Sequence, residues 1–391
     1  MRIAFFHNLP AGGGKRSAHE WVKRMAKNHD VDLYLFDSQA EDFLDMRPFV
    51  RKTILMSRRK TSYGGHVGRL VSLCRARLLS KQIAQRINSG NYDLAFIMQC
   101  KVYNTPFVLR YLQIPALYFC HEPLIKALEP HSIVNRGRLA PLKRLFTELL
   151  GQLDRSNAKY ATLICTNSLY SRESIYRSYA VYPRLNYLGV DPEHFHPLFM
   201  KREPVILSVG SLFPSKAPDF IIESVATTKT KPAIRFIYHV SDKHYQAQLA
   251  QLAEQLGVSV SFDYLPTQKD LMIAYNRAAL TAFPCMLEPL GLVPLESMAC
   301  GTPVVGIAEA GIRETVQHNE NGLLTERDPH EFGQAIDTLM EDKNLWKRMS
   351  SLGHQRVLER WTWEKSYQQL EKHMQMAVKM HKARIDRKSV V

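Results

Sequence analysis

Short apolar runs alternate with longer segments of helical spacing along most of the chain. In the first half, runs of strand length fall at residues 2–6, 31–36, 94–98, 115–119 and 162–165, and helical segments fall at 16–28, 68–88, 141–158 and 169–179. Strands that alternate with helices are typical of parallel α/β sheets. The first half of the chain therefore predicts one doubly wound, Rossmann-like parallel sheet.

The same alternation restarts after a polar connector that follows His196-Pro197. Strands are predicted at 204–210, 234–239, 258–262, 280–283 and 303–307, and helices at 217–228, 243–256, 268–277 and 292–300. We therefore expect two domains, residues 1–200 and residues 201–360. Ligands bind at the carboxyl ends of the strands in such sheets, so we expect a substrate cleft between the two domains.

The last part of the chain, residues 361–391, predicts a separate helix. Apolar residues recur there with helical spacing up to about residue 381; they are Trp363, Tyr367, Leu370, Met374 and Ala377. This helix can cross back to the N-terminal domain. Residues 383–391 are mostly polar, and we expect them to fray.

The composition fits a globular protein with two cores. The chain has 391 residues, of which 45% are hydrophobic. It has no run of eighteen apolar residues and no charged leader before the first strand, so we expect neither a transmembrane helix nor a secretory signal. The six cysteines are widely spaced and form no Cys-x-x-Cys pair, which favours reduced, buried thiols over a zinc site or disulfides. Together these features predict a cytoplasmic protein.

Positive charge is concentrated in one segment. The formal net charge is +15, and residues 46–92 contain no Asp or Glu but many Lys and Arg residues. Such a segment favours an anionic partner such as a membrane surface, a phosphate-bearing lipid or a nucleic acid, although a solvated basic face has the same composition. The sequence has no helix-turn-helix, zinc finger or RNA-binding aromatic motif, so we expect no nucleic-acid partner.

The sharpest chemical signal is the pair Glu288 and Glu296. Pro294 fits best in the first turn of a helix, so a helix is predicted to begin near Gly291 to Val293. The amides of Leu290 to Val293 then point outward and form an anion site suited to a diphosphate. The two carboxylates can flank that site and accept hydrogen bonds from vicinal hydroxyls. The alternative is an acidic helix start that the helix dipole favours.

Glu288-x7-Glu296, followed by residues 297–305, resembles the signature of retaining glycosyltransferase family four, also described as glycosyl transferases group 1. Further blocks of that family appear in the same order at residues 10–14, 120–123, 166–168, 188–191, 208–216, 310–314 and 321–324. The resemblance covers nearly the whole chain. It implies the GT-B architecture, in which two Rossmann-like domains face each other and the C-terminal domain holds most of the donor.

The resemblance also implies a set of site residues. The donor-binding residues would be Gly13, Gly14, Gly210, Ser211, Lys216, Leu265, Glu288, Leu290, Gly291, Leu292, Val293 and Glu296, and the catalytic residues would be His121, Lys216 and Glu288. Lys216 matches a phosphate-binding lysine, and His121 matches a histidine that contacts the donor sugar. Glu122 is an acceptor-side candidate, as a general base or an orienting group, but a plain loop carboxylate is an equal alternative.

One position departs from the family pattern. The family usually has arginine where this chain has Ser211, so one cation is missing from the expected phosphate site. Arg313 and Arg277 are the candidates to compensate for it.

The implied reaction transfers a sugar, with retention, from a nucleoside-diphosphate sugar to a hydroxyl of a sugar or lipid-linked acceptor. No metal or other cofactor is expected, because Lys216 and the helix amides stabilise the leaving diphosphate. We expect a role in cell-envelope polysaccharide, glycolipid or other glycoconjugate synthesis. Segment 46–92 would then dock the protein peripherally on the cytoplasmic face of an anionic membrane.

Two other functions stay open at this point. A glycoside hydrolase would use Glu288 and Glu296 as its paired carboxylates. A non-catalytic or weakly active nucleotide-sugar-binding subunit would fit the loss at Ser211. Neither the donor base and sugar nor the acceptor is readable from these residues.

Overall fold

The computed structural model describes residues 1–36, 41–56, 65–124, 140–264 and 267–389. The chain divides into two compact units. The N-terminal unit comprises Met1–Tyr187 and Ser366–Val391, and the C-terminal unit comprises Leu188–Lys365. The boundaries therefore fall near residues 187 and 365, whereas the sequence pattern placed them at 200 and 360.

The N-terminal unit is built on a parallel sheet that has seven strands in the part described. These are β1 (Arg2–Asn8), β2 (Asp30–Leu35), β3 (Lys52–Leu55), β4 (Leu94–Cys100), β5 (Ala116–Phe119), β6 (Leu163–Thr166) and β7 (Arg184–Leu185), in the order β3-β2-β1-β4-β5-β6-β7. Its helices are α1 (Gly13–Met25), α2 (Gly65–Asn88), α3 (Ala140–Ala158) and α4 (Leu169–Tyr179). The Rossmann-like sheet is thus confirmed. The prediction missed the two edge strands β3 and β7, which are short and only partly buried.

Helix α1 begins at Gly13, three residues before the predicted start. Gly12 precedes it with φ +142°, a conformation that favours glycine. The three glycines at 12–14 predict a loop, but Gly13 and Gly14 form the first turn of α1.

The C-terminal unit contains a second parallel sheet, with six strands in its described part. These are β8 (Val205–Val209), β9 (Ala233–Tyr238), β10 (Val260–Tyr264), β11 (Leu280–Phe283), β12 (Val304–Ile307) and β13 (Gly322–Thr325), in the order β10-β9-β8-β11-β12-β13. The helices are α5 (Pro218–Ala226), α6 (Lys243–Leu256), α7 (Gln268–Arg277), α8 (Leu292–Ala299), α9 (Ile312–Thr315), α10 (Pro329–Glu341) and α11 (Lys343–Arg360). The second Rossmann-like unit is confirmed.

The final helix, α12 (Trp363–Ser389), returns to the N-terminal unit as predicted. Its Ser366 hydroxyl accepts a hydrogen bond from Trp21 Nε1 of α1 at 3.0 Å, and His373 Nε2 lies 3.0 Å from the carbonyl oxygen of Leu185. The side chains of Leu370 and Met374 are fully buried. The helix runs on to Ser389, so the expectation that residues 383–391 fray is wrong for the described part of that tail.

Two further sequence expectations can be compared with the structure. All six cysteines are free thiols; five are buried and Cys74 is exposed, as expected. Within the described ranges, no helix combines the length and the apolar character that crossing a membrane requires.

Candidate functional site

The turn after β8 positions Lys216. Gly210 has φ +151°, and the chain then makes a short 3-10 turn over Pro214–Lys216. Lys216 Nζ donates to Glu288 Oε2 at 2.5 Å. The two side chains keep 35% and 24% of their exposure, so water and ligands reach this ion pair. The structure therefore brings together two of the three predicted catalytic residues.

Backbone contacts hold the loop that carries Glu288. Met286 N donates to the carbonyl oxygen of Ser215 at 3.0 Å, and Gly311 N donates to that of Glu288 at 3.0 Å. A Cβ atom at Gly311 would lie 1.9 Å from the carbonyl oxygen of Pro289, so this close approach requires glycine. The Glu288 loop is thus fixed against the Lys216 turn.

Helix α8 begins at Leu292, where the sequence predicted a helix start. Gly291 is its N-cap with φ +85°, and a Cβ atom there would come within 3.1 Å of the Phe283 ring. Because the N-cap residue is a glycine, it provides no side-chain cap for the first turn. That turn contains no acidic residue. Glu288 precedes the helix and Glu296 falls in its second turn, so the alternative of an acidic helix start stays open. The amides at this end keep the capacity to bind an anion.

Glu296 lies in the second turn of α8 and is only 4% exposed. Its Oε2 accepts a hydrogen bond from the Tyr275 hydroxyl at 2.9 Å. A carboxylate can accept several hydrogen bonds at once.

Gly210, Ser211 and Lys216 line one pocket at the carboxyl edge of the second sheet, together with Pro284 and Cys285. Burial raises the pKa of the Cys285 thiol to about 12, so this wall of the pocket carries no thiolate at neutral pH.

The structure shows where the two candidates for the missing cation, Arg277 and Arg313, lie. Arg277 lies 3.7 Å from Glu203 and lines a different pocket, beside the starts of β8 and β9, so it does not compensate for Ser211. Arg313 Nε donates to the carbonyl oxygen of Ala310, next to the Gly311 contact with the Glu288 loop. The prediction for Arg313 therefore stays open.

Sequence reasoning missed Arg327, which lies beside the Ser211 pocket. Its Nη1 donates to the carbonyl oxygen of Pro284 at 3.0 Å, and its Nε and Nη2 each bond the Glu309 carboxylate at 2.8 Å. Glu309 offsets its charge, so Arg327 reinforces the pocket wall rather than supplying a free cation.

The N-terminal unit has a larger cavity, about 390 Å³, at the carboxyl ends of β1, β4 and β5. Gly13, Gly14, His121 and Glu122 all line it, so the predicted residues of this unit share one site. Gln99 holds the turn that carries two of them: its Oε1 accepts from His121 N at 3.0 Å, and its Nε2 donates to the Glu122 carbonyl oxygen at 2.7 Å.

The His121 ring has a polar contact at each nitrogen. Nδ1 lies 3.3 Å from Asn167 Nδ2, and Nε2 lies 3.4 Å from Ser17 Oγ. Burial lowers the pKa of His121 to about 4, so the ring is neutral at pH 7. Sequence reasoning identified neither contact. The one available signal was that Asn167 belongs to the family block at residues 166–168.

A buried ion pair lies directly below the start of α1. Lys15 is 1% exposed, and its ammonium donates to Glu41 Oε1. His7 Nε2 lies 2.9 Å from the same oxygen, and Met46 N donates to Glu41 Oε2 at 2.6 Å. Lys15 precedes Ala18 by three residues and so falls on the apolar face of α1, which was the signal for its burial.

Two remaining predictions concern Leu265 and a metal site. Leu265 lies outside the described residues. Within them, no group of three or more His, Cys, Asp or Glu side chains is placed to hold a metal ion.

Segment 46–92 is described in part, because residues 57–64 lie outside the described ranges. Arg47 pairs with Asp45 at 2.7 Å, and Arg51 forms two hydrogen bonds to Asp32, at 2.9 and 2.6 Å. Neither acid belongs to the segment, and both offset part of its charge. On α2, Lys81 and Arg86 are exposed.

Known proteins are similar to this chain in sequence and in fold. The family Glycosyl transferases group 1 matches residues 190–356. The D-inositol 3-phosphate glycosyltransferase of Salinispora tropica is 32% identical over 197 residues, which cover 47% of this chain and 41% of that protein. The chain thus matches about two fifths of the length of this relative.

Solved structures share the fold over nearly the whole chain. The sucrose-phosphate synthase of Thermosynechococcus elongatus is 19% identical with a TM-score of 0.78, and the match covers 96% of this chain and 98% of that one. Anabaena Alr3699/HepE in complex with UDP-glucose is 19% identical with a TM-score of 0.75, over 96% and 100% of the two chains. Residues 190–356 are thus similar to the glycosyl transferases group 1 family, and the chain, with its two Rossmann-like units, has the GT-B fold.

Proposed function

We propose that this chain transfers a sugar from a nucleoside-diphosphate sugar to an acceptor hydroxyl, with retention at the anomeric carbon and without a metal ion. The observation that carries the proposal is the Lys216–Glu288 ion pair in the C-terminal unit. It is open to solvent and belongs to the same loop system as the uncapped start of α8. A diphosphate needs a cation and amide donors, and a sugar needs carboxylate acceptors.

The chemistry follows from these groups. As the bond to the anomeric carbon breaks, negative charge grows on the leaving diphosphate, where Lys216 and the first amides of α8 stabilise it. Glu288 holds hydroxyls of the donor sugar, and Glu296 holds those of the ribose. The departing phosphate takes the proton of the acceptor hydroxyl, so no carboxylate is required as a base.

The relatives support the substrate class. One matched structure is described as a complex with UDP-glucose, and the matched relative is named a D-inositol 3-phosphate glycosyltransferase. We propose a hydroxyl of a sugar or lipid-linked acceptor, in glycolipid, polysaccharide or other glycoconjugate synthesis.

The first test is donor binding. Nucleoside diphosphates and their sugars, beginning with UDP and UDP-glucose, are added to the purified chain and its melting temperature is measured. A ligand at 100 times its dissociation constant stabilises the folded state by about 2.7 kcal/mol, which such a measurement resolves easily. No shift with any uridine, guanosine or adenosine diphosphate or its sugars would overturn the donor site.

Turnover separates an enzyme from a binding subunit. Release of the nucleoside diphosphate is followed with the donor that binds best and a panel of acceptors. Lys216→Met should strongly reduce both the shift and the release, whereas Lys229→Met should change neither, because the Lys229–Glu341 pair lies on the exposed surface of the same unit. Binding without any release would leave a nucleotide-sugar-binding subunit as the function.

We also propose that helix α2 docks on an anionic membrane. Val71, Cys74 and Leu78 are exposed at helical spacing, and Leu78 keeps 65% of its exposure. Arg77 and Lys81 are exposed on the same helix, which contains no acidic residue. Each basic residue near an anionic surface contributes about 1 kcal/mol, and the apolar side chains add to this on insertion.

Vesicle flotation tests the docking. The chain should float with phosphatidylglycerol vesicles at low salt and not with phosphatidylcholine vesicles. Leu78→Ser combined with Lys81→Gln should weaken this binding. Leu358→Ser is the matched control, because Leu358 is also an exposed leucine but lies on α11 of the other unit. Equal binding to both kinds of vesicle, or none, would remove the proposal.

A further inference from the structure

The orientation of the Asn167 amide is fixed by its neighbour. Strand β6 ends at Thr166, and Ser168 caps α4 by accepting a hydrogen bond from Ser171 N at 2.9 Å. The Ser168 hydroxyl lies 3.4 Å from Asn167 Oδ1 and donates to it. The oxygen of this amide therefore faces Ser168, and its nitrogen faces the imidazole of His121.

That orientation decides the state of one ring nitrogen. An amide nitrogen donates and does not accept hydrogen bonds. Asn167 Nδ2 lies 3.3 Å from His121 Nδ1, so Nδ1 must be the acceptor and must carry no proton.

Ser17 decides the state of the other nitrogen independently. Its hydroxyl has one hydrogen, which it donates to the carbonyl oxygen of Gly14 at 2.8 Å. The lone pairs of Ser17 Oγ are left to face His121 Nε2 at 3.4 Å, and they require a donor there. Both contacts therefore specify the same neutral tautomer, with the proton on Nε2.

A second proton on the ring would oppose both this geometry and the burial. Protonated Nδ1 would face the N–H donors of Asn167, and turning the amide over would sacrifice its bond from Ser168. Burial acts in the same direction, since it lowers the pKa of His121 to about 4.

The protonated nitrogen lies where a ligand can reach it. His121 lines the 390 Å³ cavity together with Gly14. A Cβ atom at Gly14 would lie 3.4 Å from both Nε2 and Cδ2 of the ring, so the glycine leaves this edge of the imidazole uncovered. The bond to Ser17 is long, and a ligand oxygen can replace it.

We infer that Ser17 and Asn167 are positioning residues that hold His121 as its Nε2–H tautomer, so that the ring donates a hydrogen bond to an oxygen of the donor sugar and does not act as a base. The identity of that oxygen rests on the proposed function; the tautomer does not. The one unprotonated nitrogen, Nδ1, is occupied by the Asn167 amide.

Nitrogen-15 NMR of histidine-labelled protein tests the tautomer directly. Long-range proton–nitrogen spectra distinguish protonated from unprotonated ring nitrogens, and the signals that disappear in His121→Gln identify His121. We expect Nε2 protonated and Nδ1 unprotonated at pH 7 in the protein without ligands. Nδ1 protonated on His121 of the wild-type protein would overturn the inference.

Asn167→Asp replaces the hydrogen-bond donor that faces Nδ1 with an acceptor. A carboxylate in that place accepts only, so Nδ1 should gain a proton and the spectrum should change accordingly. Turnover should fall about tenfold or more, in line with a lost transition-state donor. An unchanged ring spectrum in this variant would contradict the role of Asn167.

Asn157→Asp is the matched control. Asn157 is another buried asparagine of the same unit, and it bonds Arg110 and the Thr105 carbonyl rather than His121. Its replacement should leave the His121 signals unchanged. If the tautomer is as inferred but no nucleotide sugar binds or reacts, the proposed function fails while the positioning role stands.

Discussion

In each unit of this protein, a lysine–glutamate pair among the described residues lies beside a glycine-containing turn, and these two pairs differ in how far water reaches them. Lys15 and Glu41 are at most 2% exposed, and Glu41 also takes hydrogen bonds from His7 and Met46 N. Lys216 and Glu288 stand at the rim of a pocket, with 35% and 24% of their exposure left. Identical chemical groups are therefore placed in two different electrostatic environments.

The difference distinguishes a structural pair from the pair that we propose binds the donor. A buried charge is tolerated when it is paired and hydrogen-bonded, and losing one partner leaves the other charge uncompensated. An exposed pair contributes little to stability, because water solvates both groups when they part. The Lys216 ammonium can therefore exchange Glu288 for a phosphate, whereas Lys15 cannot leave Glu41 without cost to the fold.

The largest effect is expected at the buried pair. Lys15→Met removes the cation and leaves the Glu41 carboxylate buried, which should lower the free energy of unfolding by about 3–5 kcal/mol. Urea unfolding followed by circular dichroism measures it. Replacing both partners, in Lys15→Met with Glu41→Leu, should recover much of the loss, since apolar side chains of similar size often substitute for a buried pair.

Lys229→Met gives the reference for that experiment. The Lys229–Glu341 pair is exposed, so its loss should change the free energy of unfolding by less than about 1 kcal/mol. If Lys15→Met cost no more than this control, the distinction between the two pairs would collapse.

The second-largest effect is expected at Lys216, where ligand affinity should change and stability should not. Lys216→Met should weaken UDP binding about 10- to 100-fold, because it removes a charge-assisted hydrogen bond to the phosphate. The free energy of unfolding without ligand should change by less than about 1 kcal/mol. Calorimetric titration gives the affinity. A Lys216→Met protein that bound UDP as tightly as the wild type would show that the open pair is not a phosphate site.

The sequence predicted the open pair and not the buried one, for a physical reason. Glu288, the glycines and Lys216 stand out because the proposed phosphate site needs particular residue types at backbone turns, and these form recognisable motifs. The strand and helix alternation likewise gave both sheets, since periodicity reports burial directly. Edge strands such as β7, with two residues, carry too few positions to show a period.

Side-chain pairings over long sequence separations could not be predicted in the same way. Glu41 is 26 residues from Lys15, and Asn167 is 46 residues from His121. Whether such groups meet depends on strand order and loop paths, which no local pattern encodes. The spacing of Lys15 on the apolar face of α1 indicated burial but not the partner.

Acid should destabilise the N-terminal unit through two buried histidines, His7 and His121. Burial lowers the pKa of His7 to about 4 and that of His121 to about 4, against 6.5 for a free side chain. Because the folded-state pKa values are depressed, these residues contribute stability in full above pH 6.5 and lose it as pH falls towards 4. Between pH 7 and pH 5.5 each histidine should cost about 1 kcal/mol.

Amide hydrogen exchange at pH 7 and pH 5.5, corrected for the intrinsic exchange rates, measures this loss of stability separately in each unit. Core amides of the N-terminal unit, which contains both histidines, should lose protection at the lower pH. The double variant His7→Gln with His121→Gln should show a smaller loss over the same interval. An equal loss in this variant would assign the acid sensitivity to other groups.

The smallest predicted effect tests whether the open pair exchanges its partner. Glu288→Gln removes the carboxylate that competes for the Lys216 ammonium and that repels a diphosphate. An exposed pair is worth about 0–1 kcal/mol, so UDP affinity should rise by up to about fivefold. Turnover with the full donor should fall at the same time, because the sugar hydroxyls lose a charged acceptor. Calorimetry with UDP alone isolates the first effect from the second. Weaker UDP binding in Glu288→Gln would mean that Glu288 orients the lysine for phosphate instead of competing with it.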